Sequence, residues 1–70
     1  MEIQKGNFYK ILIGINNATL TYKCKVISID KNFITFIDDR GKTYDYNIKC
    51  ILSSSDLGYE FKINGGDSNE

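Results

Sequence analysis

The chain has 70 residues and a mass of 8.0 kDa, which is enough for one domain. At this length folding buries only about 60% of the unfolded surface, so we expect one small core and no cleft of enzyme size. Nine basic and nine acidic residues give zero formal net charge, which excludes a strong overall attraction for nucleic acid. The chain has no histidine and no Ser/His or Cys/His pair, so we expect no enzyme, no cofactor and no metal.

Residues 7–13 are predicted to form the first strand. Its aligned apolar residues alternate with the others and would share one face of a sheet: Tyr9, Ile11 and Ile13. Residues 14–18 follow as a predicted loop. Within this loop Asn16 and Asn17 suit a hairpin turn, because asparagine tolerates positive φ.

Residues 20–29 are predicted to form the second strand, and their periodicity changes partway. The first apolar positions alternate with threonine and lysine and belong to one face: Leu20, Tyr22, Cys24 and Val26. Ile27 then follows Val26 directly, and Ile29 continues on the other parity. Such a slip favours a bulge or a sharp bend, although a strand buried on both faces would show it too. A bend would let one long strand serve two parts of a small core.

Two tight turns are predicted from their residue types. Asp30 suits the first position of a type I turn, and Asn32 is expected to take the left-handed conformation that closes a three-residue loop. In the second turn Asp38 is expected to bond its own backbone. Gly41 is expected to supply a positive φ there at no steric cost.

Three further strands are predicted. Residues 33–37 are apolar on both parities, which favours a central strand covered on both sides. Residues 42–48 alternate again, with three apolar residues on one face: Tyr44, Tyr46 and Ile48. The serines at 53–55 predict a turn or a single helical turn. Residues 57–63 alternate cleanly and predict a last strand with one wet face.

These elements form one predicted domain, residues 1–64, followed by a polar tail, residues 65–70, that we expect to be disordered. Cys24 and Cys50 fall on separate predicted strands and are interpreted as buried free cysteines. A disulfide stays open as an alternative, since it requires Cα atoms within about 7 Å. No signal peptide and no apolar run of about 18 residues is present, so we expect a cytoplasmic protein without a membrane partner.

Five short strands around one core predict an all-β, five-stranded antiparallel barrel. Residues 26–38, VISIDKNFITFID, resemble the bent strand, aspartate-bearing turn and next strand of Sm-like domains in the SH3-like small-barrel superfamily. Residues 5–11, KGNFYKI, resemble the KOW-type modules of the same superfamily. The resemblance implies an SH3-like (Sm-like) small barrel with a strongly bent second strand.

The sequence departs from the Sm-like pattern where that family binds RNA. Cys24 stands at the position of a usual glycine, and Ile34 stands where an asparagine contacts RNA. Residues 47–49 replace an Arg-Gly or similar pair. The resemblance therefore implies the barrel and not the RNA pocket.

The sequence predicts a small non-enzymatic binding module. Its favoured partner is a protein or a second copy, as an adaptor, an inhibitor or a ring subunit, because SH3-like barrels expose strand edges and aromatic-lined grooves. The alternative is an Sm-like or KOW-like module that binds RNA or DNA. Lys23 and Lys25 share the predicted outer face of the second strand. Other basic residues would join them only if the fold brings them together: Lys10, Arg40, Lys42 and Lys49.

Overall fold

The computed structural model describes residues 3–64, which form one antiparallel sheet. Its order is β4-β3-β2-β1-β5, so the predicted all-β, five-stranded antiparallel fold is confirmed. Among the described residues no ladder joins the edge strands β4 and β5, so the sheet is open and its closure into a barrel stays a prediction. The strands are β1 (Phe8–Ile15), β2 (Ala18–Ile29), β3 (Phe33–Ile37), β4 (Thr43–Asn47) and β5 (Ile51–Asp56).

One face of the sheet carries the core, as the period-two patterns of the first two strands predict. The buried side chains come from β1, β2 and β3: Tyr9, Ile11, Ile13, Cys24, Val26, Ile34 and Phe36. Tyr22, Tyr44 and Tyr46 are half-buried and extend this core. The strand β3 lies inside the sheet but is not covered on both sides, because Phe33 on its outer face is 54% exposed. The prediction of a doubly covered third strand is therefore wrong.

A bulge interrupts β2 where the sequence pattern slips. Val26 pairs with Phe36, but the register shifts before Ser28 pairs with Thr35, which leaves Ile27 without a partner in that ladder. Ile27 is exposed, whereas Ile29 packs against the core. The extra residue moves the inward-facing parity from Val26 to Ile29, so one strand serves two parts of the core.

The β1–β2 connection is a two-residue hairpin loop. Asn16 has φ 50° and Asn17 has φ 64°, as expected for a turn that requires positive φ at both central residues. The flanking strands run to Ile15 and from Ala18, so the loop is shorter than the predicted 14–18. The asparagine pair is thus confirmed as the turn.

The β2–β3 connection is closed by an aspartate side chain. Asp30 Oδ1 accepts hydrogen bonds from the N–H groups of Asn32, at 2.7 Å, and Phe33, at 2.8 Å. These two donors hold the pKa of the Asp30 carboxyl below its ordinary value. Asn32 is not among the described residues with positive φ, so its predicted left-handed conformation is wrong. The carboxylate satisfies both N–H groups and removes the need for that conformation.

A 3₁₀ turn, Ile48–Cys50, separates β4 from β5. The Asn47 side chain caps it by accepting a hydrogen bond from the Lys49 N–H at 2.9 Å. The fourth strand therefore ends at Asn47, one residue before its predicted end. Within residues 3–64 no helix is long and apolar enough to cross a membrane.

The chain after Cys50 differs from the prediction. The serines at 53–55 lie within β5, which pairs with β1, and residues 57–64 are irregular. Gly58, with φ 85°, interrupts the extended backbone. This segment is held to the sheet by a side-chain contact and not by a strand ladder. The ring of Phe61 packs edge-on against Phe8, with ring centroids 4.8 Å apart. The predicted disordered tail, 65–70, lies outside the described residues.

Both cysteines are free, as predicted. Cys24 is fully buried in β2. Burial, and to a smaller extent the nearby charge of Asp38, raises the pKa of its thiol to about 12. Cys50 is half-buried in the 3₁₀ turn, not in a strand, and packs against the core. Cys24 thus behaves as a small hydrophobic residue.

Gly41 closes the β3–β4 turn with φ 87°, and its N–H donates to the Asp38 carbonyl at 3.2 Å. Gly41→Val is expected to lower the free energy of unfolding by roughly 1–2 kcal/mol, because a β-branched residue is strained at positive φ. Chemical denaturation checks this value. Gly41→Asn is the matched control and should lose less, since asparagine tolerates this region. A valine variant as stable as the parent would contradict the argument from strain.

Candidate binding groove

The strand β2 is longer than its neighbour β3, so within residues 3–64 part of it has no ladder partner on one side. β1 pairs with β2 from residue 18 to residue 25, whereas β3 pairs only with residues 25–29. A groove of about 420 Å³ opens beside this unpaired part, between β2 and the β3–β4 turn. We call it the β2 groove, and its lining residues are Thr21, Tyr22, Lys23, Asp38, Asp39, Arg40 and Tyr44.

Two tyrosines provide the aromatic wall of the β2 groove. The ring centroids of Tyr22 and Tyr44 are 4.6 Å apart. The Tyr22 hydroxyl shares a hydrogen bond with that of Tyr46 at 2.5 Å, and burial together with this bond raises the pKa of Tyr22 far above its ordinary value. Tyr44 donates to Asp38 Oδ2 at 3.1 Å, and its pKa is raised by burial and by this contact. The hydroxyl contacts hold both rings in place, so the wall is preformed.

Asp38 uses its carboxylate to organise the β3–β4 turn. Its Oδ1 accepts from the N–H groups of Arg40, at 2.9 Å, and Lys42, at 3.0 Å. Burial raises the pKa of this carboxyl, but the donors Lys42, Arg40 and Tyr44 and the charge of Arg40 outweigh it, and the pKa lies below its ordinary value. The predicted bonding of Asp38 to its own backbone is thus confirmed.

Charges of both signs surround the groove. Lys23 and Arg40 lie on its rim together with Asp39. The Asp39 carbonyl, in addition, accepts a hydrogen bond from the Asn64 N–H at 2.7 Å. The part of the chain that the structure describes contains no cluster of three or more His, Cys, Asp or Glu residues that could hold a metal ion. The β2 groove therefore suits a partner surface that combines polar and apolar groups.

Three of the predicted contact residues come together on the outer face of the sheet. Lys10 of β1 lies directly opposite Lys23 in the antiparallel ladder. Lys25 is two residues further along the same face, with its Nζ 5.7 Å from the centroid of the Phe8 ring. We call Lys10, Lys23 and Lys25 the lysine row.

The other three predicted contact residues lie elsewhere. Arg40 joins Lys23 at the β2 groove. Lys42 follows it in the turn, with its Nζ 5.3 Å from the centroid of the Tyr44 ring. Lys49 lies in the 3₁₀ turn beyond the opposite end of β4 and does not line the groove.

The sequence interpretation did not identify Tyr22 and Asp39 as residues of a site. A signal for them was present in the predicted lengths of the strands. A second strand of ten residues cannot be matched by a third strand of five, so about half of the second strand must lack a ladder on that side. The residues of the unpaired half and of the nearby turn are then the candidates.

Comparisons of the chain with protein-family models, with curated proteins and with solved structures found no match. The function of the β2 groove therefore has to be inferred from its own geometry. Three features describe it: an aromatic wall, a rim with both signs of charge, and a strand edge that no other described strand pairs with.

Proposed function

We propose that the chain is a small non-enzymatic module that binds a segment of a partner protein in the β2 groove, on an SH3-like barrel. The observation that carries the proposal is the pairing of the aromatic wall, Tyr22 and Tyr44, with rim charges of both signs. Protein interfaces combine tyrosine and arginine near the centre with a polar rim.

The proposal includes a cytoplasmic location, supported by the two free thiols. It also includes the roles of adaptor, inhibitor and ring subunit, because each of these docks a protein surface. The exposed edges of an open sheet are compatible with all three roles.

A second candidate function is nucleic-acid binding, and the lysine row favours it. Lys10, Lys23 and Lys25 place three positive charges on one face of two neighbouring strands. Such a row can neutralise phosphates and release counterions. The zero net charge of the chain counts against it.

Selection of peptides from a displayed random library tests the protein-binding proposal. The parent is expected to select peptides of micromolar affinity, on the order of −8 kcal/mol. Arg40→Glu should abolish their binding, because it reverses a charge on the groove rim. Lys49→Glu is the matched control, since it makes the same charge change outside the groove. Retained binding in Arg40→Glu, or an equal loss of binding in Lys49→Glu, would contradict the assigned site.

Binding to a mixed-sequence oligonucleotide tests the alternative. If the proposal holds, the parent binds the oligonucleotide only weakly, and the double variant Lys23→Ala, Lys25→Ala leaves that weak binding and its salt slope unchanged. Micromolar binding with a salt slope that falls by up to about two units in this double variant would overturn the proposal in favour of nucleic acid.

A further inference from the structure

We infer that the segment bound in the β2 groove is an extended strand that adds to the free edge of β2 and carries alternating apolar and acidic side chains. The inference rests on the proposed function and specifies how the partner binds and what its chemistry is. Three observations carry it: the direction of the free backbone groups, the apolar inner side of the groove and the lysine row.

On the side of the groove, β2 presents backbone groups that have no strand partner among the described residues. The Val26 N–H donates to the Asn7 carbonyl at 3.0 Å, so the even-numbered residues before the bulge hydrogen-bond to β1. Because directions alternate along an antiparallel strand, Thr19, Thr21 and Lys23 point their N–H and C=O groups to the other side. β3 does not reach these residues, so a strand in line with β3 would complete the ladder.

The inner side of the groove favours apolar side chains on the incoming strand. Leu20 is 38% exposed and lies on the same face of β2 as Tyr22. The Tyr44 ring packs against Tyr22, with centroids 4.6 Å apart, and also lines the groove. Side chains that point inward from an added strand would cover these surfaces and bury apolar area.

The outer side favours acidic side chains. Lys10 and Lys23 lie directly opposite each other, and like charges in such a pair destabilise a sheet. A carboxylate on a strand beside Lys23 would relieve this repulsion. A second copy of the chain would instead bring its own lysine row to the same face, so the charges favour a different, acidic partner.

The orientation of the added strand follows from the rest of the sheet, in which every ladder is antiparallel. In that arrangement the residues directly opposite Thr21 and Lys23 share their hydrogen bonds and their face of the sheet. The backbone N–H and C=O groups of the partner's acidic residues are therefore the ones that hydrogen-bond to β2. The apolar residues direct their backbone groups away from β2.

Backbone methylation of a synthetic peptide tests this inference. The probe is a capped peptide of alternating glutamate and valine, whose affinity is measured by titration calorimetry against the folded chain. We expect micromolar binding, and about tenfold or greater weakening when the glutamate nitrogens are methylated. Methylation of the valine nitrogens should leave the affinity unchanged. Equal effects of the two methylation patterns would overturn strand addition.

Charge variants complete the test. Lys23→Glu is expected to weaken binding by about tenfold or more, whereas Lys49→Glu should bind like the parent. A peptide with lysine in place of glutamate should not bind. Tighter binding of the lysine peptide than of the glutamate peptide would overturn the inference. So would a dimer of the chain that pairs through the free edge of β2 and that the glutamate–valine peptide does not displace.

The inference and the proposed function fail in different ways. If peptides from the displayed library bind the groove but the glutamate–valine peptide does not, the inferred chemistry is wrong and the protein-binding function stands. If no peptide binds at all, both are wrong. Circular dichroism of each variant checks that a loss of peptide binding is not caused by unfolding.

Discussion

Replacing Phe36 with alanine is expected to lower the free energy of unfolding by about 3–5 kcal/mol, which is most of the stability of a small domain. Phe36 is the largest of the fully buried side chains among the described residues. Its ring centroid lies 5.0 Å from that of Tyr22 and 5.6 Å from that of Tyr44. The substitution therefore leaves a cavity at the centre of the core and also removes the support of the groove wall.

Chemical denaturation followed by tyrosine fluorescence measures this loss. Phe33→Ala is the matched control, because it removes the same ring from the same strand at a position that is 54% exposed. Its cost should stay below about 1 kcal/mol. Similar costs for the two variants would show that β3 does not face the core as described.

Asp38→Ala is expected to lower the free energy of unfolding by about 2–3 kcal/mol, because one carboxylate holds three donors in the β3–β4 turn. The N–H groups of Arg40 and Lys42 and the hydroxyl of Tyr44 would all lose their acceptor. Asp39→Ala is the matched control, with the same change at the next residue, and should cost little. An equal loss in both variants would mean that the net charge of the turn matters and the hydrogen bonds do not.

The same substitution should change the response of the protein to acid. The pKa values of Asp30 and Asp38 are lowered in the folded state from an ordinary value of 3.8. Their charged forms therefore contribute stability that is present above about pH 4 and is lost as the pH falls through the folded-state pKa values. Asp38→Ala should show a smaller drop in unfolding free energy between neutral and acidic pH than the parent. An identical drop would exclude Asp38 as a source of the acid sensitivity.

Local patterns predicted most of the sheet because each depends on neighbouring residues. The slip at Val26 and Ile27 predicted the bulge, and Asn16 with Asn17 predicted the hairpin turn. Gly41 was identified in the same way, from the backbone conformation that its turn requires.

The errors arose where a distant part of the chain decides the structure. Residues 57–63 alternate as well as any strand, but β1 has only one free side, and the serine-rich segment 51–56 occupies it. Alternation shows which residues share a face and does not show which strand supplies the partner. Asn32 was misjudged for a different reason, because the Asp30 carboxylate satisfies the turn and no left-handed residue is needed.

The candidate site was predicted only in part for the same reason. Lys23 and Lys25 share a face by strand geometry alone, whereas Lys10 joins them through the register of β1 against β2. The placement of Arg40 beside β2 depends on where β3 ends. Tyr22 looked like an ordinary core residue, since nothing in its immediate sequence reveals that β3 stops short of it.

The strand order β4-β3-β2-β1-β5 also has a consequence for the folding mechanism. Each of the first four strands pairs with a neighbour in sequence, so their hairpins can form by closing short loops. β5 must return to β1 across a loop on the order of forty residues, which costs more chain entropy. We therefore expect the β1–β4 meander to be structured in the transition state, with β5 docking late. Substitutions in β5 would then accelerate unfolding and leave the folding rate almost unchanged.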